Sequence, residues 1–316
     1  MPAGVNLLIN VRVKIAGVAP MVIWGILLSL LAAVSTAGSH VVAKHCRQSL
    51  DLWKFLWVRT SAASVILLGM SILGKDFPNL CRAEPYSLFV IAVSGVISPL
   101  LVGMTVFWAL ERTPVNIRMP IFASYPFFVF LLSCMFFEEN LTIFTIAGML
   151  IILVGVIGLA VRKSGPNEGN KHRNGYFLPI VVTCGGSLLM AFNVSLWKIF
   201  SSYWGFSALN INLLQVFMAS IVLSIVNMSR KPMARKPKPA VVLAAAASGF
   251  LVFGMANIFS ITAMSYISSP VVYSIVCSNI LFVGVFARVW FKEKWTPVQF
   301  ASAIGICAGI IILTVC

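Results

Sequence analysis

Long runs of apolar residues, separated by short polar gaps, make up most of the chain. Each run is about 20 residues long, the length that an α-helix needs to cross the hydrocarbon core of a bilayer. Backbone groups that face lipid must pair within their own segment, so each run predicts a helix. The pattern predicts ten spans, at residues 18–43, 52–73, 86–110, 113–137, 141–161, 177–200, 208–228, 241–264, 268–291 and 298–315.

The second half of the chain repeats the first at an offset of 154 residues. Residues 109–159 align with 263–313 without a gap, and several aligned pairs are identical: Ala109/Ala263, Ser124/Ser278, Phe128/Phe282, Phe137/Phe291, Glu139/Glu293, Gly155/Gly309 and Leu159/Leu313. Five spans per copy is an odd number, so the second copy enters the membrane in the opposite orientation. Inverted repeats of this kind build a midplane site that opens alternately to either side.

The predicted fold class is therefore an all-α polytopic membrane protein of two inverted five-helix repeats. We divide the chain into an N-terminal segment (1–17), a first repeat (18–161), a polar linker (162–176) and a second repeat (177–316). Gly305 and Gly309 form a small-residue surface on the last span, and Gly148, Gly155 and Gly158 lie on the matching span of the first repeat. That surface indicates either helix packing inside a monomer or a contact in a homodimer.

Composition places this fold in a lipid bilayer. Apolar residues are 60% of the chain and charged residues 10%, more apolar surface than a soluble protein of this length can bury. The net charge is +15, but the basic residues cluster in the gaps between spans without interleaved aromatics, which argues against a nucleic-acid partner. The seven cysteines form no C-x-x-C pair, so neither a metal site nor a cofactor is predicted. We expect an integral protein of the cell (inner) membrane.

Lys and Arg concentrate in the gaps that follow the odd-numbered spans. The positive-inside rule then places those gaps in the cytoplasm and both termini outside.

Several short motifs resemble the drug/metabolite transporter superfamily, in its ten-helix EamA-type branch. They are Ile23-Trp24-Gly25, Lys44 followed by Arg59, Ala109-Leu110-Glu111-Arg112-Thr113, Glu139-Asn140-Leu141-Thr142 with Gly148 and Gly155, and Glu293-Lys294-Trp295-Thr296 with Gly309. The resemblance implies the ten-helix fold, transport in the direction of export, and cytoplasmic termini, opposite to the charge count. It leaves the substrate open, since this family moves amino acids, sugars, nucleotide derivatives and drugs. The second copy departs from the pattern at Ile280, which stands where the first has Pro126.

Charged residues inside spans are costly and often functional. Arg118 lies about six residues, or about 9 Å, inside the predicted fourth span. Its guanidinium suits a carboxylate or phosphate, so we predict capture of an acidic group on the substrate, with snorkelling to the headgroups as the alternative.

Three further residues are candidates for gating or coupling. Arg59 in the second span aligns with Gln215 when Ala63-Ser64 is matched to Ala219-Ser220, and this pair indicates either a gate or helix packing. Of the three histidines, only His40 lies within a predicted span, and it suits either a proton switch or a packing role.

Uncharged polar residues in mid-span are the candidates for lining a cavity: Tyr125, Asn193, Asn257, Tyr273 and Asn279. The alternative for each is an interhelical hydrogen bond. Tyr125 and Asn279 occupy the same position in the two copies, which predicts that they face each other across the pseudo-twofold axis.

The missing chemistry narrows the function. None of the eight acidic residues lies near the middle of a predicted span. Proton-driven multidrug exporters of the superfamily that this chain resembles use a buried carboxylate. Two arginines without a central acid favour an anionic or zwitterionic substrate. Fingerprints of hydrolases, P-loop proteins and dinucleotide-binding enzymes are absent, so the chain is not predicted to be an enzyme.

The sequence therefore predicts a secondary transporter of a small polar metabolite with an acidic group, such as an amino acid or a derivative. It would work by alternating access. Two alternatives stay open: a facilitator or exchanger of a phosphorylated or nucleotide-like metabolite, and a non-transporting membrane scaffold.

Overall fold

The computed structural model describes residues 3–46, 49–112, 121–122, 124–137, 142–160, 177–230, 237–291 and 296–315. These residues form helices joined by short turns, and none of them lies in a strand.

Ten apolar helical stretches follow one another along the described chain. Seven are long and apolar enough to cross a membrane, and three more are apolar but shorter. We number them in chain order: span 1 (Ala3–Cys46), span 2 (Leu52–Leu73), span 3 (Pro85–Ser94, Val96–Val102 and Gly103–Arg112), span 4 (Tyr125–Phe136), span 5 (Ile143–Ala160), span 6 (Phe177–Lys198 and Ile199–Tyr203), span 7 (Ala208–Met228), span 8 (Pro239–Gly249, Phe250–Ala256 and Asn257–Ala263), span 9 (Ser269–Cys277 and Asn279–Phe291) and span 10 (Pro297–Val315). A short helix, Phe77–Arg82, connects spans 2 and 3.

The ten stretches match the ten predicted spans in order, and the predicted all-α fold of two inverted five-helix repeats is confirmed. Span 1 differs at its start. We expected it near residue 18, but its helix begins at Ala3 and continues through Pro20. The segment before residue 18 is itself largely apolar, and a single proline removes only one backbone donor from a long helix.

Spans 3 and 8 each contain a π-helix, a wider turn that the apolar pattern does not predict. The two segments, Val96–Val102 and Phe250–Ala256, lie 154 residues apart, which is the offset of the sequence repeat. A glycine precedes each one, Gly95 in span 3 and Gly249 in span 8. The repeat is thus preserved in backbone geometry as well as in sequence. π-Helical turns are frequent at functional sites.

Spans 5 and 10 cross closely and make the same contact twice. A Cβ added at Gly155 would lie 2.7 Å from Ile306 Cγ1, and one added at Gly309 would lie 2.7 Å from Ile152 Cγ1. The offset of 154 relates these pairs, so the crossing lies on the pseudo-twofold axis. Gly309 therefore packs inside the chain, as one of its two predicted roles requires. Gly305 instead borders an open apolar groove of about 530 Å³ between these spans.

The two repeats are intertwined, because several of their helices pack mainly against the other repeat. Span 8 packs against spans 1 and 2, while span 3 packs against spans 6 and 7. Span 2 also packs against span 7, and span 4 against span 9. The largest apolar core among the described residues draws on both repeats and includes Tyr125 of span 4, Trp197 of span 6 and Tyr273 of span 9. A site in this region draws its residues from both halves of the chain.

Candidate functional site

Two small polar clusters occupy equivalent positions in the two repeats. The Arg59 cluster consists of Ser39, Arg59, Ser248 and Gly249, and the Gln215 cluster consists of Asn193, Gln215, Ser94 and Gly95. The offset of 154 relates Ser39 to Asn193, Ser94 to Ser248 and Gly95 to Gly249. Arg59 and Gln215 are equivalent through the alignment of their own spans. Each cluster joins three spans, two from one repeat and one from the other.

The Arg59 cluster buries a cation at the crossing of spans 2 and 8. Arg59 is 5% exposed, and its Nη2 donates to Ser39 Oγ at 2.8 Å. Ser39 Oγ in turn donates to the Ser248 carbonyl at 2.8 Å. The guanidinium lies over two rings, with its carbon 5.7 Å from the centroid of Phe55 and 5.1 Å from that of Phe253. Hydroxyl and ring contacts of this kind stabilise a cation away from water.

The Gln215 cluster is held by a directed set of hydrogen bonds. Gln215 Nε2 donates to Ser94 Oγ at 2.7 Å and to Asn193 Oδ1 at 3.2 Å. Gln215 Oε1 accepts from Trp197 Nε1 at 2.6 Å. The side chain of Gln215 is therefore fixed from both ends.

Glycine brings the backbones together at both clusters. A Cβ added at Gly249 would overlap the carbonyl of Arg59, and a Cβ added at Gly95 would overlap the carbonyl of Gln215. Arg59 and Gln215 are the residues predicted for gating or coupling. Each lies at a helix crossing where the two backbones are in close contact.

An aromatic stack extends from the Gln215 cluster to span 4. Trp197 stacks on Tyr273 with ring centroids 6.3 Å apart, and Tyr273 meets Tyr125 edge to face at 5.9 Å. All three side chains are buried. The structure therefore brings Tyr125, Asn193, Tyr273 and Gln215 into one connected group, which includes residues from both repeats. Such an arrangement, apolar walls with a few convergent polar groups, is typical of small-molecule sites.

Two polar atoms in this group have no hydrogen-bond partner among the described residues. Asn193 Nδ2 is fully buried without an acceptor. The Tyr273 hydroxyl lies near Ser260 but does not reach hydrogen-bonding geometry. Leaving a buried donor unsatisfied costs about 1–3 kcal/mol, so such atoms point to a ligand or water.

The remaining predicted residues lie outside this group. Asn257 Nδ2 donates to Asn212 Oδ1 at 3.2 Å, and Asn212 donates to the Phe253 carbonyl. Asn257 therefore serves as an interhelical hydrogen bond between spans 7 and 8. Asn279 begins the second helix of span 9 and is half-buried, and the described contacts do not link it to Tyr125.

His40 is half-buried in span 1 beside Ser39. Arg118 lies outside the described residues. Within those residues, no group of three or more His, Cys, Asp or Glu side chains is placed to hold a metal ion.

Sequence reasoning missed Trp197, Ser94 and Ser39. A tryptophan in an apolar run reads as packing, so nothing in the local pattern singles out Trp197. A usable signal did exist for the serines. Extending the offset of 154 to every polar residue pairs Ser94 with the identical Ser248, and Ser39 with Asn193.

A family model for EamA-like transporters matches the chain twice, over residues 23–161 and 177–315. The chain belongs to the EamA-like transporter family. This membership makes it an integral membrane transporter, and the resemblance inferred from the sequence motifs is confirmed. The two matches also show that the family's module is duplicated within this EamA-like transporter.

One sequence relative agrees with this assignment, and one solved structure shares the fold. An uncharacterized transporter of Archaeoglobus fulgidus is 26% identical over 131 residues, which is 42% of this chain and 46% of that protein. The matched region spans less than half of either protein. A solved crystal structure superimposes with a TM-score of 0.73 over 95% of this chain and 97% of the other, at 13% identity. At that identity the similarity shows the fold alone.

Proposed function

We propose that this EamA-like transporter is a secondary carrier of a small polar metabolite with an acidic group, such as an amino acid or a derivative. The observation that carries the proposal is the buried Asn193 Nδ2, which has no acceptor among the described residues and lies in a group of side chains contributed by both repeats. A carrier with inverted repeats binds its substrate where the repeats meet, and this group lies at such a place.

Charge favours an acidic substrate. The chain has 23 basic and 8 acidic residues, and Arg59 is a buried cation held by a hydroxyl and two aromatic rings. Of the acids in the described residues, Asp51, Asp76 and Glu84 lie outside the spans, and Glu111 is the second-last residue of span 3. The interior of the described spans therefore repels cations and tolerates anions. Export across the cell (inner) membrane is part of the proposal and rests on the family resemblance.

Transport in reconstituted vesicles tests the proposal. Purified protein is placed in liposomes preloaded with an unlabelled amino acid, and entry of the same labelled amino acid is followed for each of the standard amino acids. The expected result is saturable exchange above protein-free vesicles for at least one acidic or zwitterionic compound. Exchange of a sugar phosphate or a nucleotide derivative, but of no amino acid, would replace the substrate class. No exchange of any compound would favour a membrane scaffold.

A further inference from the structure

The hydrogen bonds that link Trp197, Gln215 and Asn193 run in one direction. An indole N–H is a donor only. Because Trp197 Nε1 lies 2.6 Å from the Gln215 side chain, it must face the oxygen of that amide. The identity of the two ends of the Gln215 amide is therefore set by chemistry.

This orientation fixes the next amide. With its oxygen on Trp197, Gln215 presents its NH₂ group to Ser94 and Asn193. Asn193 must then face Gln215 with its oxygen, since two NH₂ groups in contact would leave both without an acceptor. The reverse orientation of Asn193 is excluded for the same reason.

Asn193 consequently turns its own NH₂ group away from Gln215. Asn193 is fully buried, and no acceptor for Nδ2 exists among the described residues. Asn193 lies on span 6 one helical turn before Trp197, whose ring stacks on Tyr273. The chain of amides thus ends in a pure donor, close to the stacked rings of Trp197 and Tyr273.

We propose that Trp197 is a positioning residue that sets the polarity of the site, so that the carrier selects ligands by an acceptor oxygen presented to Asn193 Nδ2. The ligand class is a carboxylate or a carbonyl compound, and the corresponding amine without that oxygen is rejected. This proposal rests on the proposed function and names the group of the substrate that the site reads. Selection depends on hydrogen-bond direction, so a carboxamide group, which carries no charge itself, is accepted as well as a carboxylate.

Competition by three related compounds tests the proposal. Exchange of a labelled amino acid is measured in proteoliposomes in the presence of the same amino acid, its carboxamide, or its decarboxylated amine. In the wild-type protein the acid and the carboxamide compete and the amine does not. Trp197→Phe keeps an aromatic ring but removes the N–H donor. The amide groups of Gln215 and Asn193 can then rotate by half a turn and exchange their oxygen and NH₂ ends. The preference for carboxamide over amine should then fall about tenfold to a hundredfold, the effect of one buried hydrogen bond to an acceptor.

The chain offers a matched control. Trp57 also donates an indole hydrogen bond, to Ser224 Oγ at 2.8 Å, but on the lipid-facing side of spans 2 and 7. Trp57→Phe should leave the preference unchanged. Because the preference is a ratio within one variant, it does not depend on the amount of folded protein.

A second variant covers the case in which Trp197→Phe does not fold. Gln215→Glu still accepts from Trp197, but it can no longer donate to Ser94 or Asn193. Asn193 must then donate toward the carboxylate and turn its oxygen to the ligand. The amine should then compete better than the carboxamide. An unchanged order of competitors in every folded variant would overturn the proposal. A wild-type protein that exchanges no amino acid would instead overturn the proposed function, and with it the substrate named here.

Discussion

The Arg59 cluster and the Gln215 cluster occupy the same place in the two repeats, yet they bury polar groups in different ways. Both lie beside a π-helix, and both bring a glycine against the backbone of the partner span. Arg59 is enclosed by a serine and two phenylalanine rings. Gln215 belongs to a chain of amides that ends in Asn193 Nδ2, a donor with no acceptor in the described part of the chain.

The difference between the two clusters supports the proposed position of the ligand site. Contacts that obey the pseudo-twofold relation, such as the two glycine crossings and the Gly155 and Gly309 pair, are those that any copy of the repeat needs to pack. The indole of Trp197 and the amide of Asn193 have no counterpart at the equivalent described positions of the first repeat. Ala43 is the residue equivalent to Trp197, and Ser39 is the one equivalent to Asn193. In a duplicated protein, ligand recognition is expected where the symmetry is broken.

The largest expected effect comes from exchanging Arg59 and Gln215 between the two clusters. Gln215→Arg buries a cation next to the Trp197 donor, and it should cost about 3–5 kcal/mol of unfolding free energy, the range for an uncompensated buried charge. Arg59→Gln removes a cation from its rings and should cost about 1–2 kcal/mol. Denaturant titration in mixed micelles measures both. Equal costs would mean that the two environments do not differ as described.

The glycine crossings should respond alike in both repeats. Gly95→Ala and Gly249→Ala each place a methyl group against a backbone carbonyl that cannot move aside, so each should cost about 1–3 kcal/mol. The control is Gly185→Ala in span 6, where nothing lies within 4 Å of the added atom. That variant should be neutral or stabilised by about 0.5–1 kcal/mol. A large loss in only one crossing would contradict their equivalence.

The smallest expected effect is the difference in stability between variants of two equivalent serines, Ser94 and Ser248. Ser94 accepts from Gln215 through its side chain, whereas Ser248 accepts from Ser39 through its backbone carbonyl. Ser94→Ala should therefore cost about 1 kcal/mol, and Ser248→Ala should cost less because its carbonyl remains. Thermal unfolding of the two variants in one detergent compares them directly. The opposite order would show that the hydrogen bonds of the two clusters are misassigned.

Much of the fold follows from the sequence, because the bilayer permits few solutions. Run length predicts the spans, and the offset of 154 with an odd number of spans predicts inversion. The π-helices of spans 3 and 8 do not follow, since a change of a single residue per turn leaves an all-apolar run unchanged.

The site was predictable in part. Polar residues in apolar runs drew attention to Tyr125, Asn193, Gln215 and Tyr273, which the structure connects. The described contacts do not link Tyr125 with Asn279. Tyr125 packs instead against Tyr273, which lies in the first helix of span 9. Equivalence in a repeat gives matching positions, but the contacts depend on side-chain size and on which span lies opposite.

Access to Cys277 tests the central claim most directly. This buried thiol lies in span 9 within hydrogen-bonding reach of Tyr125, inside the site shared by the two repeats. In a variant that keeps Cys277 and replaces the other cysteines by serine, a small membrane-impermeant thiol reagent is added to either side of sealed proteoliposomes. Our account predicts modification from both sides, slowed by the transported amino acid. Modification from one side only, or from neither, would contradict alternating access to this site.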